Sequence, residues 1–150
     1  MRLTRSNNGT LSYHLLTLEK NLMIKVLRSE KGNITRYYPF LTPVEEAVML
    51  GYLRIKTLRQ VLILLHTKRR ASFSEITLHI NKAPSTTSWN LKRLLESNIV
   101  LKKKRDELFE FSLKNPKLVE KLLYRAADTL LDRSVDNYIS LIDNLWITFK

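Results

Sequence analysis

The chain has 150 residues, 44% of them hydrophobic, which suits one domain with appendages or two very small domains and argues against wholesale disorder. Lysine and arginine outnumber acidic residues 26 to 14, a net charge of +12 that favours a polyanionic partner, nucleic acid ahead of an anionic membrane surface. The absence of cysteine excludes disulfides, thiol catalysis and thiolate metal sites, and Val61 to Leu65, the densest apolar run, falls far short of the roughly 20 residues a membrane-spanning helix needs.

The polar start, Met1 to Thr10, has no signal-like apolar stretch, so a soluble cytoplasmic protein is expected, with no membrane association. The first helix start readable on its own is Thr42-Pro43-Val44-Glu45, a capping hydroxyl followed by proline at the first helical position and glutamate at the third. That helix should weaken near Gly51. Thr57-Leu58-Arg59-Gln60 repeats the capping logic, with Leu58, Val61, Leu62 and Leu65 on one face of a helix running to about Arg69. Ser72-Phe73-Ser74-Glu75 opens a short helix with Phe73, Ile76 and Ile80 as its apolar positions. After the break at Asn81-Lys82-Ala83, a helix from Pro84 turns Thr87, Leu91, Leu94 and Leu95 inward and leaves Ser85, Thr86, Trp89, Asn90 and Arg93 on the other side.

From Ile99 the period becomes that of strands: Ile99 to Lys104, a charged turn at Arg105-Asp106-Glu107, and Leu108 to Leu113. Helix, short helix, tight turn, helix and hairpin is the element order of a winged helix-turn-helix, the hairpin being the wing. The segment after Pro116 carries Val119, Leu122, Leu123, Ala126, Leu130, Val135, Tyr138, Leu141, Ile142 and Leu145 at helical spacing. This apolar stripe calls for two-fold self-association, or alternatively folds back on Thr42 to Leu53 within one chain. The dimerisation residues are expected to be Leu122, Leu123, Leu130, Tyr138, Leu141 and Leu145.

The chain also aligns with itself at an offset of 76 residues: Thr10 with Thr86, Ser12 with Ser88, Tyr13 with Trp89, His14 with Asn90, Leu15 with Leu91, Leu18 with Leu94, Met23 with Ile99 and Arg28 with Lys104. The register slips at the turn. Asn8 to Tyr38 therefore reads as a second recognition helix and wing, lacking the two helices that should precede it. Ala71 to Ile76 with Pro84 to Leu94, and Ser12 to Asn21 with Arg36-Tyr37-Tyr38-Pro39, resemble the recognition elements of ArsR-like and MarR-like transcription regulators, archaeal tandem winged-helix members especially. Leu22 and Asn98 depart from the glycine usual before the wing, and Ala83 from a capping serine. The expected class is α+β, mainly α. Residues 1–41 would form a partial winged helix, 42–56 a linker helix, 57–113 a complete winged helix-turn-helix, and 114–150 a C-terminal helical dimerisation segment.

The implied function is sequence-specific binding of double-stranded DNA by a dimeric regulator, a repressor, acting at the nucleoid. The contacts would come from Ser85, Thr86, Ser88, Trp89, Asn90 and Arg93 on the recognition helix and from Lys102, Lys103, Lys104 and Arg105 on the wing. Asn90 would read adenine, Arg93 phosphate or guanine, and Trp89 either stacks on sugar and thymine methyl or packs under the wing. Thr10, Tyr13, His14, Arg28 and Arg36 form a possible second contact set. The alternative is a winged helix that docks a component of the transcription machinery. No catalytic constellation is visible, the three histidines (His14, His66, His79) are scattered, and neither an enzyme activity nor a cofactor or metal is expected.

Overall fold

The structure, a computed structural model, describes residues 8–28 and 34–129, with side chains described up to residue 125. It is a mainly helical α+β protein that forms two compact units, Met1–Val48 and Met49–Lys150. In chain order the elements are α1 (Asn8–Lys20), β1 (Ile24–Arg28), β2 (Thr35–Pro39), α2 (Val44–Leu53), α3 (Lys56–Lys68), β3 (Ala71–Ser72), α4 (Phe73–Ile80), α5 (Pro84–Glu96), β4 (Val100–Arg105), β5 (Leu108–Leu113) and α6 (Pro116–Thr129).

The first unit is built on α1 and an antiparallel β1–β2 hairpin, in which Ile24 pairs with Pro39 and Arg28 with Thr35. None of the thirteen residues of α1 is buried, and Leu11 is 45% exposed. Lys25 secures the exit of the hairpin: its ammonium donates to the Thr42 carbonyl at 2.7 Å and lies 6.0 Å from the centre of the Phe40 ring.

The second unit has a three-stranded antiparallel sheet in the order β3-β5-β4. Its core is formed by Leu58, Val61, Leu62 and Leu65 of α3, Ile76 of α4, Leu94 of α5, Val100 of β4, and Val119 and Leu122 of α6, all below 2% exposure. Burial of leucine-sized side chains contributes about 1.5–3 kcal/mol each before entropy. The α4 start is the capping box expected at Ser72: its hydroxyl accepts from the Glu75 amide, and the Glu75 carboxylate accepts from the Ser72 amide at 2.8 Å. The bond from the Ser72 backbone first, and then one from the Lys68 ammonium at 3.0 Å, lower the Glu75 carboxyl to a pKa of about 2.

Three expectations are corrected. The Thr57 capping box does not form, because α3 begins earlier, with Ile55 as its N-cap and no side-chain cap. Ala71 and Ser72 form a third strand against Phe111 and Glu110 of β5, too short for alternation to reveal it. Leu122 and Leu123 are not available for dimerisation: α6 packs on α3, and both side chains are buried within their own unit. Helix α6 is thus part of the core of the second unit through at least Leu123. Leu130, Tyr138, Leu141 and Leu145 lie outside the described residues.

The helix-to-hairpin junctions of the two units have matching geometry at the offset of 76 residues. After α1, the amides of Asn21, Leu22 and Met23 donate to the carbonyls of Thr17, Glu19 and Leu18; after α5, those of Ser97, Asn98 and Ile99 donate to Arg93, Leu95 and Leu94. Leu22 and Asn98, at equivalent positions, share a left-handed φ of 56°. The hairpin turns then differ in length, six residues between β1 and β2 against the two-residue turn Asp106-Glu107. Both residues of the short turn have positive φ, the twist that suits a two-residue hairpin.

Candidate nucleic-acid interface

Helix α5 is anchored by Thr87, Asn90, Leu91 and Leu94, all buried, so its opposite face is held outward by the core. That face presents Ser85, Thr86, Ser88, Trp89 and Lys92, all exposed, with Arg93 half-buried at its edge. Pro84 takes the first helical position and Ala83 the N-cap, with no side-chain cap. The first-turn amides next to Ser85 and Thr86 are therefore left for an external acceptor, and a helix N-terminus favours an anion.

Asn90 does not belong to the outward face as expected. It is 4% exposed, and its side-chain amide donates to the Thr86 carbonyl at 2.9 Å. Position 90 falls between buried positions 87 and 94 on the helix, and the bond to the preceding turn satisfies the polar group there. Trp89 is 56% exposed rather than packed under the wing, and the guanidinium of Arg93, one turn on, lies 4.6 Å from its ring centre. The same guanidinium lies 5.4 Å from the ring centre of Tyr52, the penultimate residue of α2, whose hydroxyl hydrogen-bonds the hydroxyl of Ser97 at the C-cap of α5.

The wing exposes Lys102, Lys103, Lys104 and Arg105, but the pleat divides them. Lys102 stands opposite Phe111 and Lys104 opposite Phe109, on the face that carries Val100 and Leu113; Lys103 and Arg105 share the other face with Glu110 and Leu108. The Lys102 ammonium sits 3.8 Å from the centre of the Phe109 ring. Glu110 is 3.7 Å from the Arg70 guanidinium, which offsets charge on the second face.

In the first unit, Thr10, Tyr13 and His14 are exposed on α1, the last two rings meeting edge to face at 5.8 Å. Arg28 is exposed at the end of β1, 4.0 Å from Glu19, and Arg36 is half-buried on β2. Two residues of the second unit escaped the sequence reading. Lys92 follows the helical spacing of the outward face and could have been found from it. Tyr52 could not, since nothing in the sequence ties it to Arg93. Among the described residues there is no group of three or more His, Cys, Asp or Glu placed to hold a metal ion, and no helix long and apolar enough to cross a membrane.

Residues 56–100 match the family model described as winged helix-turn-helix DNA-binding. With the wing that follows, this part of the chain is a winged helix-turn-helix. Comparison with curated protein sequences gives no match. Among solved structures, the chain is similar to the transcriptional repressor BigR from Xylella fastidiosa, at 24% identity over 55% of this chain and 85% of that one, with a TM-score of 0.48. It is also similar to the homodimeric winged helix-turn-helix domain of Mb0332 from Mycobacterium bovis, a possible ArsR-family regulator, at 18% identity over 59% and 84% of the two chains, with a TM-score of 0.49. A third is the transcriptional repressor PagR of Bacillus anthracis, at 18% identity over 53% and 92%, with a TM-score of 0.47.

Proposed function

We propose that the protein is a transcription regulator that binds double-stranded DNA as a homodimer and represses by occluding its site. In this reading α5 enters the major groove and β4–β5 lies on the phosphate backbone. The observation that carries it is the outward face of α5, hydroxyls and long cations backed by a buried face, followed directly by a hairpin with four exposed cations. Ser85, Thr86, Ser88 and Trp89 meet base edges and sugar, Lys92 and Arg93 meet phosphate or guanine, and the wing cations add affinity with little sequence preference. Asn90 has no place in this contact set. Association of two chains through Leu130, Tyr138, Leu141 and Leu145 would present two winged helices to a palindromic site. The α1–β1–β2 unit serves as the incomplete first module of a tandem pair, with Thr10, Tyr13, His14, Arg28 and Arg36 as its DNA-facing set. The protein works in the cytoplasm, at the nucleoid.

The test is duplex binding followed by fluorescence anisotropy across a salt series, with the stoichiometry read from the same titration. Affinity should fall steeply with salt and saturate at two chains per palindromic duplex. Each phosphate contact contributes about 0.9 to the slope of log K against log salt. Lys103 and Lys104 point to opposite faces of the wing, so Lys103→Ala with Lys104→Ala should lower the slope by about one contact per chain, about two for the bound dimer, and weaken all sequences alike. Binding that does not respond to salt would overturn the proposal.

A further inference from the structure

Arg93 occupies an unusual position for a residue on an outward helix face, because its guanidinium lies over two aromatic rings from different elements. Trp89, one turn earlier on α5, places its ring centre at 4.6 Å, and Tyr52 of α2 places its own at 5.4 Å. Tyr52 is further tied to α5 by the hydrogen bond between its hydroxyl and that of Ser97. Ring and hydroxyl of one side chain thus meet α5 at two points a turn apart, positions 93 and 97. An arginine left free samples many rotamers. A guanidinium stacked on rings keeps its in-plane N–H donors for an acceptor approaching at the edge, the geometry of bidentate recognition of phosphate or guanine.

We propose that Tyr52 is a positioning residue for Arg93, holding the guanidinium against Trp89 so that its donors are set before DNA arrives. The proposal rests on the DNA-binding reading above and adds a residue that lies outside both the recognition helix and the wing. It gives α2 a role beyond that of a connection: the end of this helix braces the recognition helix at the side chain with the longest reach. Tyr52 acts through Arg93 and need not touch DNA itself.

The experiment is a double-mutant cycle on the full chain, combining Tyr52→Leu with Arg93→Ala and reading duplex affinity by anisotropy. The cation–π energy at a partly exposed site corresponds to about a two- to five-fold loss of affinity for Tyr52→Leu, while Tyr52→Phe, which keeps the ring, should stay close to the parent. In the Arg93→Ala background, Tyr52→Leu should cost nothing further, because the group it positions is gone. The free protein offers a second readout: the Arg93 Nε–Hε resonance should be displaced by ring currents and return toward the position of a free arginine in Tyr52→Leu. Tyr52→Met fills similar space and takes the place of Tyr52→Leu in the cycle if that variant does not fold. Additive losses, or no loss in Tyr52→Leu while Arg93→Ala weakens binding, would overturn the positioning role alone. A parent chain without salt-dependent affinity for duplex DNA would remove the DNA-binding reading and this proposal together.

Discussion

Asn90 shows how a side chain of the right chemistry can be in the wrong place for recognition. Buried at 4% exposure and bonded to the Thr86 carbonyl, it belongs to the support of α5. Asn90→Ala should therefore cost about 1–2 kcal/mol in chemical denaturation, the range for losing a buried hydrogen-bonded amide, and leave base preference in site selection unchanged. A relaxed preference at one base with unaltered stability would contradict this. His66 is the other buried polar residue with a measurable consequence. Its imidazole is 3% exposed, neither ring nitrogen has a partner within hydrogen-bond distance among the described residues, and the Glu120 carboxylate is 3.8 Å away. Burial lowers its pKa below 6.5, opposed by the Glu120 carboxylate and assisted by Arg69. The folded state thus prefers neutral His66, and its contribution to stability is complete above pH 6.5 and declines as pH falls from there toward the lowered folded value. His66→Leu should flatten that decline below pH 6.5 in thermal melts. A profile identical to that of the parent would show that His66 takes up its proton as readily in the folded as in the unfolded chain.

At the scale of elements, capping chemistry and hydrophobic period make much of the winged helix legible in the sequence. Ser72 with Glu75 forms the box its spacing implies, Pro84 starts α5, and the change of period at Ile99 marks the wing. What escaped has physical reasons. Thr57 has the residues of a capping box, but Ile55 has already begun α3, so local chemistry was overruled by an earlier start. The polar face of α5 was legible except for Asn90, whose amide reads as outward although its helical position is inward. The Tyr52–Arg93 contact joins residues far apart in sequence and left no local trace. Leu22 is the element-level position most open to change, because an exposed leucine with a φ of 56° gains little from burial and carries backbone strain. Leu22→Gly should stabilise the α1–β1 junction by about 0.5–1 kcal/mol after allowing for the greater freedom of glycine when unfolded. Asn98→Gly should gain less, since asparagine tolerates this region better. A loss of stability in Leu22→Gly would mean that its side chain makes a contact worth more than the strain.

Across the whole molecule, charge and burial are unevenly placed. The net charge of +12 concerns encounter with a polyanion, whereas stability depends on the core shared by α3, α4, α5, the sheet and α6. The contrast between α1 and α5 is sharpest here. The two helices are equal in length and end in the same hydrogen-bonded junction, yet Thr87, Leu91 and Leu94 are buried while their counterparts Leu11, Leu15 and Leu18 are not. A thirteen-residue helix without a buried face draws little support from packing, and an isolated helix of that length is marginal in water. Opening α1 should therefore require far less free energy than opening the core of the second unit. In native-state hydrogen exchange, the amides of α1 should exchange through local fluctuations with little protection, while those of α3 around Leu62 persist until global unfolding. Equal protection in the two helices would show that α1 shares the cooperative stability of the core. A chain built this way would keep one copy of its helix-and-hairpin motif as the rigid reader and leave the other inexpensive to rearrange.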